Sequence, residues 1–326
     1  MSFSVVAANY NKEHFLESFF ESFIGISEHI EYELIFIDDG SIDRSIQIAE
    51  SYKTQLPLKI ISLEKNQGPA TARNTGIREA THSTIIFCDT DIAFKPSVLL
   101  EGYKLFLDNN YDVLTFNLDI LPLTKTTMGR VYLLEEWENL EVEKTQSGPH
   151  RYFTTTLSIV KREWFNMVGP FDESFKGADI EDLLLGFKSS RETRFWFSKE
   201  LTFRHAYPSN SLVLKKAFTR AFQLGQLSIK DMAENPILDN SFRKLCYFIS
   251  CLWILCLILV LTSLMSIKIF IYLTVAEIFI HYKAYLLGIR NYGLFFIFGL
   301  FFGRLIYVLS ASTGFVLGKV YPKKAV

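Results

Sequence analysis

Short apolar runs alternate with helix-period segments through the first 120 residues. Runs at 3–8, 33–38, 58–63, 84–88 and 112–120 have strand length and composition. The stretches between them, 12–27, 42–54, 69–80 and 96–108, carry apolar residues at helical spacing. Strands and helices alternating at this interval predict an α/β fold, a mostly parallel sheet with helices on both faces. Sheets of this kind bind ligands beyond the carboxyl ends of their strands. Further along, 157–160 and 202–204 read as strands and 182–190 as a helix.

From residue 207 the pattern changes. In 207–244, Leu212, Leu214, Phe218, Phe222 and Leu227 alternate with Lys215, Lys216 and Arg220, the pattern of an amphipathic helix at a membrane interface. Residues 245–265 are a 21-residue run without a charge, long enough to span a bilayer. Residues 269–287 form a second candidate span, interrupted by Glu277, His281 and Lys283. Residues 292–318 are apolar but contain Arg304, so an in-plane or re-entrant segment is expected, with Arg304 reaching lipid head groups. The sequence thus divides into a body, 1–206, an interfacial stretch, 207–244, and an all-α membrane region, 245–326.

Charge follows the same division. Residues 245–326 hold seven Lys/Arg and one acid, a net +6, whereas the other 244 residues carry a net −7; the chain totals −1. This balance excludes a general nucleic-acid binder, which would be basic over its binding domain. Arg243 and Lys244 before the first span, with Lys319, Lys323 and Lys324 at the end, place both ends of a two-span hairpin in the cytoplasm. The N-terminus reads as a strand rather than a secretory leader, so the expectation is a soluble body at the cytoplasmic face of the cell's inner membrane. The four cysteines contain no Cys-x-x-Cys pair and read as reduced, apolar-packed thiols.

The strand ends carry the candidate chemistry. The first four strands are followed by Asn9-Tyr10-Asn11, then Asp38-Asp39-Gly40-Ser41, then Asn66-Gln67-Gly68-Pro69 leading to Arg73, and Asp89-Thr90-Asp91. Any one of these also makes a turn or a helix start. Four on one rim of a parallel sheet are more than turns. Later, Gly169-Pro170-Phe171-Asp172-Glu173 precedes Asp179, Glu181 and Asp182.

These motifs, in this order and spacing over residues 1–205, resemble the successive signatures of family 2 glycosyltransferases with the Rossmann-like GT-A fold. The resemblance implies transfer of a sugar, with inversion, from a nucleotide-sugar donor to a hydroxyl. It implies that Asp91 binds Mg²⁺ or Mn²⁺ and that Asp89 lies toward the ribose. Asp39 would read the nucleotide base, a uracil, with Asp38 and Asn9 beside it. Gly68 would let the backbone approach the donor, and Arg73 would face its diphosphate. Asp182 would be the general base, with Glu181 and Asp179 in reserve. His205 is a candidate for metal or diphosphate, as in some GT-A enzymes. The family pattern often continues with an acid and an arginine where this chain has Leu184 and Lys188, so the acceptor side departs from it.

The chemistry agrees with these roles. A departing diphosphate accumulates negative charge, which a divalent cation bound by hard oxygens offsets. An alcohol acceptor needs a base. The expected partners are therefore a nucleotide-sugar donor, a glycan or lipid-linked acceptor of a surface-polysaccharide precursor, and the lipid bilayer. Two alternatives keep part of this picture. A polyprenyl-phosphate sugar synthase would need no base, but those enzymes typically have a Leu-Gln-x-Pro-Pro-like stretch where this chain has Ile92-Ala93-Phe94-Lys95-Pro96. Against a non-catalytic, membrane-anchored nucleotide-sugar sensor stands the intact set of donor and base residues.

Overall fold

The computed structural model describes residues 2–143, 147–149, 153–174, 180–190, 192–207, 209–226 and 266–321, with scattered positions between 248 and 262; the side chains of 137–143 are not described. The chain divides into two compact units, Met1–Asp119 with Gln146–Ala206, and Ile120–Thr145 with Tyr207–Val326.

The first unit is a nine-stranded mixed sheet with helices on both faces. Its strands are β1 (Ser2–Asn9), β2 (Glu31–Asp38), β3 (Leu58–Ser62), β4 (Thr84–Cys88), β5 (Ile92–Ala93), β6 (Val113–Leu118), β7 (Gly148–Pro149), β8 (Leu157–Lys161) and β9 (Phe195–His205). The order is β3-β2-β1-β4-β8-β6-β9-β5, with β7 also on β9. The strands β3, β2, β1, β4, β6 and β9 run in one direction, and β8, β5 and β7 run against it.

Alternation within β1 explains the two helical layers. Phe3, Val5 and Ala7 face one core with Phe36, Ile86 and the residues Leu16, Phe19 and Phe20 of α1 (Glu13–Glu21). Val6 faces the other, with Ile35, Ile37, Phe87 and the small residues Ala70 and Ala72 of α3 (Pro69–Glu79). Helix α3 lies close to the sheet because Gly76 has no side chain: a Cβ there would lie 2.5 Å from both Val6 and Ile37. The remaining helices of this unit are α2 (Ser45–Ser51), α4 (Pro96–Asp108), α6 (Arg162–Val168) and α7 (Glu181–Phe187).

The second unit is helical. Helix α5 (Thr127–Glu143), helix α8 (Asn210–Gln226) and the helices Ile267–Ile280, Tyr282–Tyr292 and Phe296–Val320 compose its described part. Helix α8 runs in the same direction as Phe296–Val320 at backbone distance. A Cβ on Gly314 or Gly318 would lie 2.3 Å from the Phe218 carbonyl oxygen or 2.0 Å from that of Phe222, and Ser310 donates to the Leu214 carbonyl at 3.0 Å. Such small-residue contacts let two helix backbones meet.

The stretch 245–265 has only scattered described positions, and 227–244 lies outside the described residues. The stretch 269–287 is not one helix: the chain bends by 69° between Ile267–Ile280 and Tyr282–Tyr292. Around Arg304 the helix continues without a break, and Phe296–Val320 is the one single described helix long and apolar enough, by length and composition, to cross a membrane; the bent pair Ile267–Ile280 and Tyr282–Tyr292 meets the same measure only if taken together as one broken span. Arg304 does not reach outward. It is buried with its guanidinium 2.6 Å from Glu135 of α5, and Glu277 and His281 are buried near it. A paired charge can stay inside where a lone one must seek water. The outward stripe of this helix is instead apolar, through Phe298, Phe302, Ile306, Leu309, Val316 and Val320.

Candidate functional site

Parallel register brings the polar strand ends level. Asn9 at the end of β1 pairs with Asp38 at the end of β2, and Asp38 with Ser62 at the end of β3. Asn9 then ties three strands together: its Nδ2 donates to Asp38 Oδ1 at 2.9 Å and to Ser41 Oγ at 3.2 Å, and its Oδ1 accepts from Thr90 Oγ1 at 3.0 Å. Asp38, fully buried, also accepts from the Ser41 N–H at 2.9 Å. Buried polar groups need such partners.

Asp39 supports the next loop. Its two carboxylate oxygens accept from the backbone N–H groups of Gln67 (2.7 Å) and Gly68 (2.8 Å). Gly40 allows the two loops to meet: it has φ +71°, and a Cβ there would lie 2.7 Å from the backbone at Lys65 and Asn66. Gly68, at φ +97°, precedes Pro69 at the start of α3. Asp38 and Asp39 are thus held from within the protein, at the carboxyl-end rim of the sheet.

The second cluster forms where β4 ends. Short β5 pairs with β9, setting His205 opposite Ile92, and the Ala206 N–H donates to the Asp91 carbonyl at 2.9 Å. This pairing carries His205 to Asp91 across the sequence. Its Nε2 lies 3.5 Å from Asp91 Oδ1, and one ligand atom each from Asp89, Asp91 and His205 lie within 4.8 Å of one another. Two carboxylates and an imidazole form a donor set that fits Mg²⁺ or Mn²⁺, the carboxylates supplying hard oxygen ligands. Lys12, at the cap of α1, places its ammonium on Asp91 Oδ2.

Arg73 joins this cluster to the acceptor-side motif. The arginine is buried in α3; Nη2 donates to Asp89 at 3.0 Å and Nη1 to Glu181 at 2.6 Å. Burial opposes its charge, but Asp89 and Glu181 outweigh burial and raise its pKa above the ordinary value. Burial raises the Glu181 carboxyl above the usual carboxylate range, with the neighbouring Asp182 adding to the rise and Arg73 opposing it. Asp182 is half-buried beside it, accepting from the Thr155 N–H at 3.2 Å and from its own neighbour Leu183 N–H at 2.8 Å. Asp179 lies outside the described residues.

Three contributors go beyond the residues given roles in the sequence. Asn74, next to Arg73, pairs with the backbone of Phe171 in both directions at 3.0 Å and donates to Glu173 at 2.9 Å, docking the Gly169–Glu173 motif on α3. Its place directly after Arg73, in the loop-to-helix motif that begins at Asn66, is the signal that could have found it. Thr155 and Lys12 leave no such signal, because only tertiary structure joins them to Asp182 and to Asp91. Of the aromatics, Trp164 is a core residue against Phe153 and Phe195, and Trp196 stacks on Tyr111.

The mixed sheet thus carries its polar strand ends on one rim, with the Asp89–Asp91–His205 cluster beside them. The sequence profile of glycosyl transferase family 2 matches residues 4–169, and the chain belongs to that family. It is 39% identical over 132 residues to the minor teichoic acid biosynthesis protein GgaA of Bacillus subtilis (strain 168), covering 38% of this chain and 28% of that protein. It is 30% identical over 166 residues to the poly(ribitol-phosphate) beta-N-acetylglucosaminyltransferase TarS of Staphylococcus aureus (strain MW2), covering 48% and 28% respectively. The chain therefore spans under a third of the length of these relatives. In three dimensions it is similar to the mannosyltransferase PcManGT of Pyrobaculum calidifontis, solved with GDP-Man and Mn²⁺, with a TM-score of 0.56 and 15% identity over 97% of this chain and 87% of that one. At that identity the likeness shows the fold.

Proposed function

We propose that the protein transfers one sugar, with inversion, from a nucleotide-sugar donor, probed first as a UDP-sugar, to a hydroxyl of a lipid-linked or cell-surface polysaccharide precursor. The observation that carries this reading is the convergence of Asp89, Asp91 and His205 beside the loops of Asp39 and Gly68. Asp39 and Asp38 order the base-side loops, Asn9 fixes the strand ends, and Gly68 allows the donor to come close to backbone. Asp89, Asp91 and His205 would hold Mg²⁺ or Mn²⁺, which when bound supplies positive charge opposite the leaving diphosphate. Arg73 holds Asp89 and Glu181 in place and contributes a fixed cation on the diphosphate side. Asp182, more open than Glu181 and oriented by Thr155, takes the acceptor proton.

The helical unit would attach the enzyme to the cytoplasmic face of the membrane. Its outward apolar stripe, with Arg304 and Glu277 turned inward, supports that attachment. The relation to teichoic acid and polysaccharide synthases supports a cell-envelope acceptor. The test is a mass-spectrometric screen of UDP-, GDP- and TDP-sugars with the purified protein and Mn²⁺. One donor should be hydrolysed slowly without acceptor and consumed faster with it; no turnover of any donor would end this reading.

A further inference from the structure

The Asp91 carboxylate has two neighbours of different kinds. His205 approaches one oxygen, and the Lys12 ammonium sits on the other. Asp91 is almost wholly buried, whereas the Lys12 side chain is 27% exposed. The Lys12 backbone is fixed: its N–H donates to Ser45 Oγ at 3.3 Å, and its carbonyl accepts from the Phe15 N–H at 2.9 Å as α1 begins. Beyond that anchor, a lysine has a flexible four-carbon stem and one compact charge. The backbone can therefore stay while the ammonium moves.

A divalent cation on Asp89, Asp91 and His205 would need the carboxylate that Lys12 holds. Two cations on one buried carboxylate repel each other strongly where water is scarce. A donor diphosphate changes this balance, because it brings a second anion for the displaced ammonium. We propose that Lys12 is a resident counter-ion of Asp91 that a divalent cation must displace, so that metal and nucleotide diphosphate bind cooperatively. This rests on the metal-binding reading of the Asp89–Asp91–His205 cluster. Lys12 in this role is a positioning residue: it balances the Asp91 charge and links metal entry to the arrival of the donor. By reciprocity, the factor by which diphosphate tightens metal binding equals the factor by which metal tightens diphosphate binding.

The test is calorimetric titration of the full 326-residue chain with Mn²⁺, alone and at saturating UDP, for the native protein, Lys12→Met and Lys12→Arg. Far-UV circular dichroism and the melting midpoint check that each variant folds. Lys12→Met should bind Mn²⁺ alone about tenfold more tightly than the native chain. UDP should tighten Mn²⁺ binding less in Lys12→Met than in the native chain, and Lys12→Arg should retain the native coupling. Equal Mn²⁺ affinity and equal UDP coupling in native and Lys12→Met proteins would overturn the role of Lys12 while leaving the metal site standing. Absence of Mn²⁺ binding in all three would overturn the metal site and this inference together.

Discussion

Arg73 and Glu181, 108 residues apart in sequence, form a buried ion pair at 2.6 Å, and the same guanidinium reaches Asp89 at 3.0 Å. One side chain thereby links the end of β4 to the start of α7. The fork geometry matters, since two carboxylates in different directions need two donors from one planar group. Arg73→Lys keeps the charge and loses the fork. It should lower kcat/KM by about 100-fold, as loss of a preorganised electrostatic contact does, and lower the melting midpoint as well. Steady-state kinetics with a thermal melt checks both. Native kinetics in the variant would show that the link is dispensable.

Asp182 and Glu181 separate by environment. Glu181 is buried on Arg73 and its pKa is raised by that burial, while Asp182 is held by Thr155 and more open. Asp182→Asn should reduce transfer by about 10²–10⁴-fold, the usual worth of a general base, with donor binding unchanged. Transfer rates together with UDP affinity distinguish the routes. Little loss of transfer would favour an acceptor that is already an anion, as in a polyprenyl-phosphate sugar synthase.

In the helical unit, Gly318 allows Phe296–Val320 to meet α8 at the Phe222 carbonyl, where a Cβ would lie at 2.0 Å. Gly318→Leu must push the helices apart and should destabilise this unit by about 1–3 kcal/mol or more, as overpacking does. Limited proteolysis should show faster cleavage in this region. An unchanged proteolytic pattern would contradict the close backbone packing.

Much of the sheet unit is legible in the sequence, for a physical reason. Strands β1, β2 and β4 are largely buried on both faces and separated by helices, so their apolar runs and the polar residues at their ends stand out. The same rim brings Asn9, Asp38, Asp39, Asp89 and Asp91 together, and parallel register requires that once the strands are placed. Other parts depend on distant partners. Strand β9 begins at Phe195, earlier than its expected start at 202, because pairing with β6 extends it through a register shift between Thr115 and Asn117. Arg304 reads as a break in an apolar run until Glu135 appears beside it. Lys12 follows the Asn9–Asn11 motif without any mark of its own, and only the fold sets it on Asp91.

The central claim is that Asp91 anchors a divalent cation on which sugar transfer depends. The most direct measurement is donor turnover by native protein and Asp91→Asn, with Mn²⁺ and after its removal by a chelator. The account predicts that chelation abolishes native turnover, that added Mn²⁺ or Mg²⁺ restores it, and that Asp91→Asn loses at least about 10³-fold at any metal concentration. Turnover that survives both chelation and Asp91→Asn would contradict it.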